Sequence, residues 1–128
     1  MKWYGADGAL FAFAQLAQKL EIEYRYFYTC NLSLKVAFLR NYGTFDEDFK
    51  VAAYEDIELG YRLNKAGLRL LYAPNALAYH QQYVSFEDAI RRARKARSSE
   101  AVLRRKEAAT QLFRSTDPLH RFVSKQRV

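Results

Sequence analysis

Glu55-Asp56-Ile57-Glu58-Leu59-Gly60-Tyr61-Arg62-Leu63-Asn64-Lys65-Ala66-Gly67 is the stretch on which the reading of this chain turns. Leu59, Leu63 and Ala66 recur at i, i+4 and i+7, and Ile57 with Tyr61 forms a stripe beside them. One face is therefore apolar at helical spacing, which predicts a helix over 55–66. Two acidic residues open it, where the helix dipole favours negative charge. Gly67 closes it, since glycine takes the left-handed, helix-ending conformation at no Cβ penalty. Gly60 is the odd residue. Inside a helix it costs roughly 1 kcal/mol against alanine, so it either permits a close approach or is tolerated.

Toward the C-terminus, Leu68–Ala73 reads as a strand, Pro74-Asn75 as a turn and Ala76–His80 as a second short strand. Ser85 and Asp88 make a Ser-x-x-Asp capping box. From there to about Ser115 the pattern is helical and basic, with a candidate break at Ser98-Ser99 and a stop at Asp117-Pro118. Toward the N-terminus, Gly43–Phe49 reads as a loop. Asn31 or Ser33 caps a short helix that ends near Gly43, with Leu34, Phe38 and Leu39 facing inward. Glu21–Tyr28 is rich in Tyr and Phe, with charges at every second position up to Arg25, which predicts a strand or an extended segment. Asp7 caps a helix over about 8–20. Helices alternating with a few short strands give an α/β class, α+β-like in form, with a small sheet and flanking helices.

The bulk properties exclude several classes. The 128 residues are one domain's worth, and a chain half hydrophobic and 16% aromatic argues against disorder. Cys30 is the single cysteine, so there is no internal disulfide and no cysteine metal cluster, and a reducing compartment is the natural setting. No run approaches the roughly 20 apolar residues that span a bilayer. The N-terminus carries no signal-peptide core. A cytoplasmic protein is expected, or one resting peripherally at a membrane. The charge is uneven. Residues 1–83 hold nine Lys/Arg and nine Asp/Glu, whereas residues 84–128 hold twelve against five and so carry the whole +7. This separates a neutral body, 1–83, from a basic helical segment, 84–128.

Several short motifs follow one another in a telling order. They are Asn31-Leu32-Ser33-Leu34-Lys35, Gly43-Thr44-Phe45-Asp46-Glu47, the Glu55-Asp56 helix start, and Tyr79-His80. In order and spacing, over roughly residues 24–82, they resemble the inverting family-2 glycosyltransferases of the GT-A fold, and in particular their C-terminal, acceptor-side half. The resemblance implies a sugar transferred from a nucleotide-sugar to a glycan or lipid-linked acceptor. Asp56 would be the base that takes the proton of the attacking acceptor hydroxyl, and Glu55 would orient the acceptor or the base. His80, 24 residues after Asp56, would help hold a divalent ion, Mg²⁺ or Mn²⁺, on the donor phosphates. Asn31 and Arg62 are candidate substrate-binding residues.

The departures are equally specific. The nucleotide-binding first half of that fold, with its D-x-D metal motif, has no counterpart in these 128 residues. Asp46-Glu47-Asp48 matches D-x-D formally but stands in the G-F-D-E loop position. Thr44 replaces the loop's second glycine, Val36 stands where a basic residue is usual, and the Q-x-x-R-W motif of processive members is missing. A chain with only the acceptor half would not transfer sugar alone. It would need a donor-half partner or a second copy, because the missing half leaves sheet edge and apolar surface to cover.

Plainer readings stand beside these. Asp and Glu at a helix start are common caps. Asn31 also suits loop fixing, Arg62 a helix-surface ion pair, His80 a partly buried aromatic, and the Tyr-rich run core packing. In the basic segment, Arg91, Arg92, Arg94, Lys95, Arg97, Arg104, Arg105 and Lys106 accompany a thin apolar stripe of Phe86, Ile90, Ala93, Val102, Ala109 and Phe113. The stripe suits a solvated helix packed on the body. The charge also suits an anionic membrane surface, or a partner, met by Arg91, Arg92, Arg94 and Lys95. Nucleic acid is the weakest of these readings, since no recognised motif accompanies the charge. A non-catalytic interaction or dimerisation module derived from a glycosyltransferase is the main alternative to an enzyme.

Overall fold

The computed structural model of the chain describes Leu16 and residues 19–79, 81 and 83–106. In chain order these form strand β1 (Glu21–Ile22), helix α1 (Val36–Tyr42), helix α2 (Glu55–Lys65), strand β2 (Leu70–Leu71) and helix α3 (Phe86–Arg104). Two 3-10 turns, Tyr24–Tyr26 and Thr29–Asn31, lie between β1 and α1. The two strands pair antiparallel, Glu21 opposite Leu71 and Ile22 opposite Leu70. Mixed helices and one small sheet fit a partial α/β unit.

Helix α2 is the hub, and its two apolar stripes build two cores. Leu59 and Leu63 join Leu16, Tyr26, Phe27 and Leu70. Ile57 and Tyr61 join Tyr24 and, from α3, Leu103. Leu34, Phe38 and Leu39 pack against the first cluster, so the inward face expected for α1 is the one observed. Gly67 ends α2 at φ 96°, the glycine conformation expected there. Gly60 lies where Phe27 crosses the helix: a Cβ on it would meet Phe27 Cβ at 2.6 Å and the Tyr24 carbonyl at 3.0 Å. Of the two roles open to Gly60, close approach is the real one.

That crossing explains where the strand expectations fail. Glu21–Tyr28 pairs only at its first two residues. The chain then winds into a 3-10 turn, with the Phe27 N–H on the Tyr24 carbonyl at 2.9 Å, which turns both rings onto α2. Leu68–Ala73 is a strand only at Leu70–Leu71, and the Tyr72 N–H makes one further bond, to the Leu20 carbonyl at 2.9 Å. Residues 76–79 form no strand. Lys35 is the N-cap of α1 and no side chain caps it, so neither Asn31 nor Ser33 has the capping role.

Helix α3 begins with the expected capping box: Ser85 Oγ accepts from the Asp88 N–H at 3.0 Å, and the Ser85 N–H donates back to the Asp88 carboxylate. It runs unbroken through Ser98-Ser99, because Ser99 is buried and anchored rather than solvated. Its inward face differs from the expected stripe. Ser99 and Leu103 are buried, while Phe86 and Ile90 face solvent. The helix ends at Arg104, with Arg105 as C-cap. The helix expected over 8–20, His80, the remaining stripe residues Ala109 and Phe113, and the stop at Ser115–Pro118 lie outside the described residues, apart from Leu16, Lys19 and Leu20.

Candidate active site

Tyr54 sets the direction from which α2 begins. It is the one non-glycine with positive φ among the described residues, at 68°. Its carbonyl accepts the Glu58 N–H at 3.0 Å, which starts the helix. Glu55 and Asp56 follow in the first turn. Asp56 Oδ1 accepts the Ile57 N–H at 2.8 Å. Burial raises the Asp56 carboxyl, and the Glu55 charge raises it further. Backbone N–H groups of Ile57, Asp56 and Thr29 pull the other way, and the balance lies at about 6. Glu55 Oε2 is buried with no hydrogen-bond partner among the described residues. A carboxyl poised near neutrality beside an unsatisfied carboxylate oxygen can accept the proton of a hydroxyl and hold a second donor.

The Thr29–Asn31 turn reaches Asp56 through the Thr29 backbone N–H. Cys30 is exposed as a residue. Partial desolvation of its sulfur, and then the Asp56 charge, hold the thiol above its usual pKa. Asn31 Nδ2 donates to the Ala76 carbonyl at 2.8 Å, tying the turn to the segment that leads toward His80. In this structure its amide nitrogen thus fixes a loop.

Arg62 lies further along α2, toward its C-terminal end. Its Nε and Nη2 grip both oxygens of Glu58 at 2.8–3.0 Å, and Nη2 also donates to the Thr44 carbonyl at 2.7 Å. The guanidinium is thus committed to an ion pair and a loop. Gly43, at φ 101°, makes room: a Cβ there would lie 3.0 Å from Arg62 Nη1. Lys106 bridges Asp46 and Asp48 at 2.8 and 2.6 Å. Its hydrogen bond is the main reason the Asp46 carboxyl lies below its ordinary pKa. The formal D-x-D is therefore engaged by a lysine.

Glu58, Tyr54 and Lys106 are the structural partners that sequence reasoning missed. The i, i+4 spacing of Glu58 and Arg62 was the available signal. Nothing local marks Tyr54, whose conformation is imposed by packing. Asp56 and Glu55 stand together in the first turn of α2, whereas the Asn31 side chain is engaged at the Ala76 carbonyl. Arg91, Arg92, Arg94 and Lys95 lie on α3 apart from them, with Arg91 paired to Asp88. Among the described residues no three His, Cys, Asp or Glu side chains converge as a metal site. These residues alone do not fit a divalent ion.

No protein-family model matches the chain, and no solved structure matches it. Four known proteins are similar over part of it, among them the following three. The chondroitin synthase of Pasteurella multocida is 37% identical over 59 residues, 46% of this chain and 6% of that protein. The validoxylamine A glucosyltransferase of Streptomyces hygroscopicus is 44% identical over 50 residues, 39% of this chain and 12% of that protein. The uncharacterized glycosyltransferase YfnE of Bacillus subtilis is 36% identical over 62 residues, 48% of this chain and 16% of that protein. The matches thus span at most 16% of these relatives' own length. All three are glycosyltransferases by name or activity, and the matched part of this chain is related to them.

Proposed function

We propose that the chain carries the acceptor side of an inverting, family-2, GT-A-type glycosyltransferase site, with Asp56 as the catalytic base. The observation that carries this is the Asp56 carboxyl, held at about 6 by burial in the first turn of α2. A base of that strength is ionised at neutral pH yet retains proton affinity. In the transfer, the acceptor oxygen attacks the anomeric carbon from the side opposite the leaving nucleoside diphosphate. The new C–O bond forms as the old one breaks, and the hydroxyl proton passes to Asp56. Glu55, with its unpartnered buried oxygen, accepts a hydrogen bond from the acceptor and orients it. The donor nucleotide-sugar binds to a half supplied from outside these residues, by another segment, a partner or a second copy. His80 and a divalent ion belong to that completed site.

The partial likeness to named glycosyltransferases supports this reading, as does the Glu55–Asp56 geometry. The test is transfer activity of the completed enzyme, with UDP- and GDP-sugars offered against glycan acceptors. Asp56→Asn should lower turnover by roughly 100-fold or more, the scale of a lost general base, while helix content is retained. Full turnover by the folded variant would overturn the assignment.

A further inference from the structure

Large hydrophobic side chains that face solvent are concentrated in one run of the described chain. Leu77, Tyr79, Tyr83, Phe86 and Ile90 are half of all such residues, with Tyr79 92%, Tyr83 80% and Phe86 70% exposed. The last two stand just before and at the start of α3. The inward phase of that helix is fixed by Ser99 and Leu103. Phe86, Ile90, Arg94 and Arg97, at i, i+4, i+8 and i+11, therefore lie along the opposite, outward face. Ile90 sits in a shallow cleft of about 370 Å³ lined by Glu87, Arg91, Arg94 and Lys95. The aliphatic stems of the basic residues flank the isoleucine and their charges surround it. The Ser85–Asp88 capping box and the buried Leu103 anchor hold this face in a fixed orientation.

We propose that this outward face of α3, with Tyr83, Phe86 and Ile90 at its apolar end and Arg91, Arg94 and Lys95 beside it, lies on an anionic lipid bilayer. The two halves of the argument need each other. Tyr and Phe side chains settle at headgroup depth, and basic residues beside them meet lipid phosphates while their stems stay in the apolar layer. The phosphate backbone of duplex nucleic acid would use only the charges and leave Phe86 and Ile90 solvated. No helix among the described residues is long and apolar enough to cross a membrane, so contact is along the surface.

Sedimentation of the whole chain with phosphatidylcholine vesicles, with or without phosphatidylglycerol as a third of the lipid, tests this. The chain should partition onto the anionic vesicles and leave the neutral ones. The double variants Phe86→Asp with Ile90→Asp, and Arg94→Glu with Lys95→Glu, should each weaken partitioning by roughly tenfold or more, the scale for two basic residues at a charged surface. All four positions are exposed, and unchanged thermal melting by circular dichroism would show that each variant folds. Three results would overturn the proposal: no partitioning, partitioning that both double variants leave intact, or duplex DNA displacing the chain from the vesicles.

Discussion

The Ser99 hydroxyl donates to the Val51 carbonyl at 2.8 Å, joining the middle of α3 to the loop that leads into α2. Ser99 is 1% exposed, and Leu103, one turn on, is 0% exposed in the core that holds Ile57 and Tyr61. The two residues dock the basic helix on the body. Ser99→Ala should cost roughly 1–2 kcal/mol by leaving the Val51 carbonyl unsatisfied. Leu103→Ala should cost roughly 2–5 kcal/mol as a core cavity. Urea unfolding followed at 222 nm measures both, and a Leu103→Ala chain as stable as the parent would mean that α3 is not docked as described.

Asp56 makes stability and activity move in opposite directions with pH. Its native carboxyl binds protons up to about 6, against an ordinary value of 3.8, so the native state is the more protonated one between them. Its stabilising contribution is complete below the lower value and is lost as pH rises through the upper one. Asp56→Asn has no such titration. The variant should gain on the parent by on the order of 3 kcal/mol between pH 4 and pH 8. Turnover of the completed enzyme should rise over that same window with an apparent pKa of about 6. Unfolding curves for parent and variant that stay parallel across this range would contradict the raised carboxyl.

Glu58 is 4% exposed, so its charge depends on Arg62. Arg62→Ala should cost roughly 3 kcal/mol, the low end for an orphaned buried charge, since the arginine side chain itself is 33% exposed. Pairing Arg62→Met with Glu58→Gln should recover most of that loss, because no buried charge remains. Chemical denaturation of the two variants decides it, and equal losses for the single and double variants would deny the pair its importance.

Gly60→Ala puts two effects in competition. Alanine favours the helix by about 1 kcal/mol, yet its Cβ would fall 2.6 Å from Phe27 Cβ. Overpacking of this kind typically costs roughly 1–3 kcal/mol. The net expectation is a lower melting temperature, and a rise in differential scanning calorimetry would show that Phe27 yields freely.

What was legible in the sequence was what short-range physics dictates. The two stripes of α2, the ending at Gly67 and the Ser85–Asp88 box need only local spacing and cap chemistry, and all are present. The Tyr-rich run was misjudged because its alternation suits a strand, whereas the bare backbone of Gly60 draws Phe27 and Tyr24 into a turn. That is a tertiary effect with no local sign. The stripe of α3 differs for a similar reason: Phe86 and Ile90 are the large apolar residues of its first turns, but a serine and a leucine further along fix which face turns inward. At the site, the acidic pair was readable from motif order. The orphaned Glu55 oxygen and the commitments of Arg62 and Asn31 depend on what folds over them.

Tyr54 holds a left-handed backbone angle that a residue with a side chain adopts only when its surroundings insist, typically storing roughly 1–3 kcal/mol. Tyr54 packs against the cluster that includes Leu103 of α3, and burial pushes its hydroxyl up to about 12, with Glu100 adding and Arg104 opposing. The strained link directly precedes Glu55 and Asp56. Contacts made by the basic helix therefore reach to one residue from the two carboxylates.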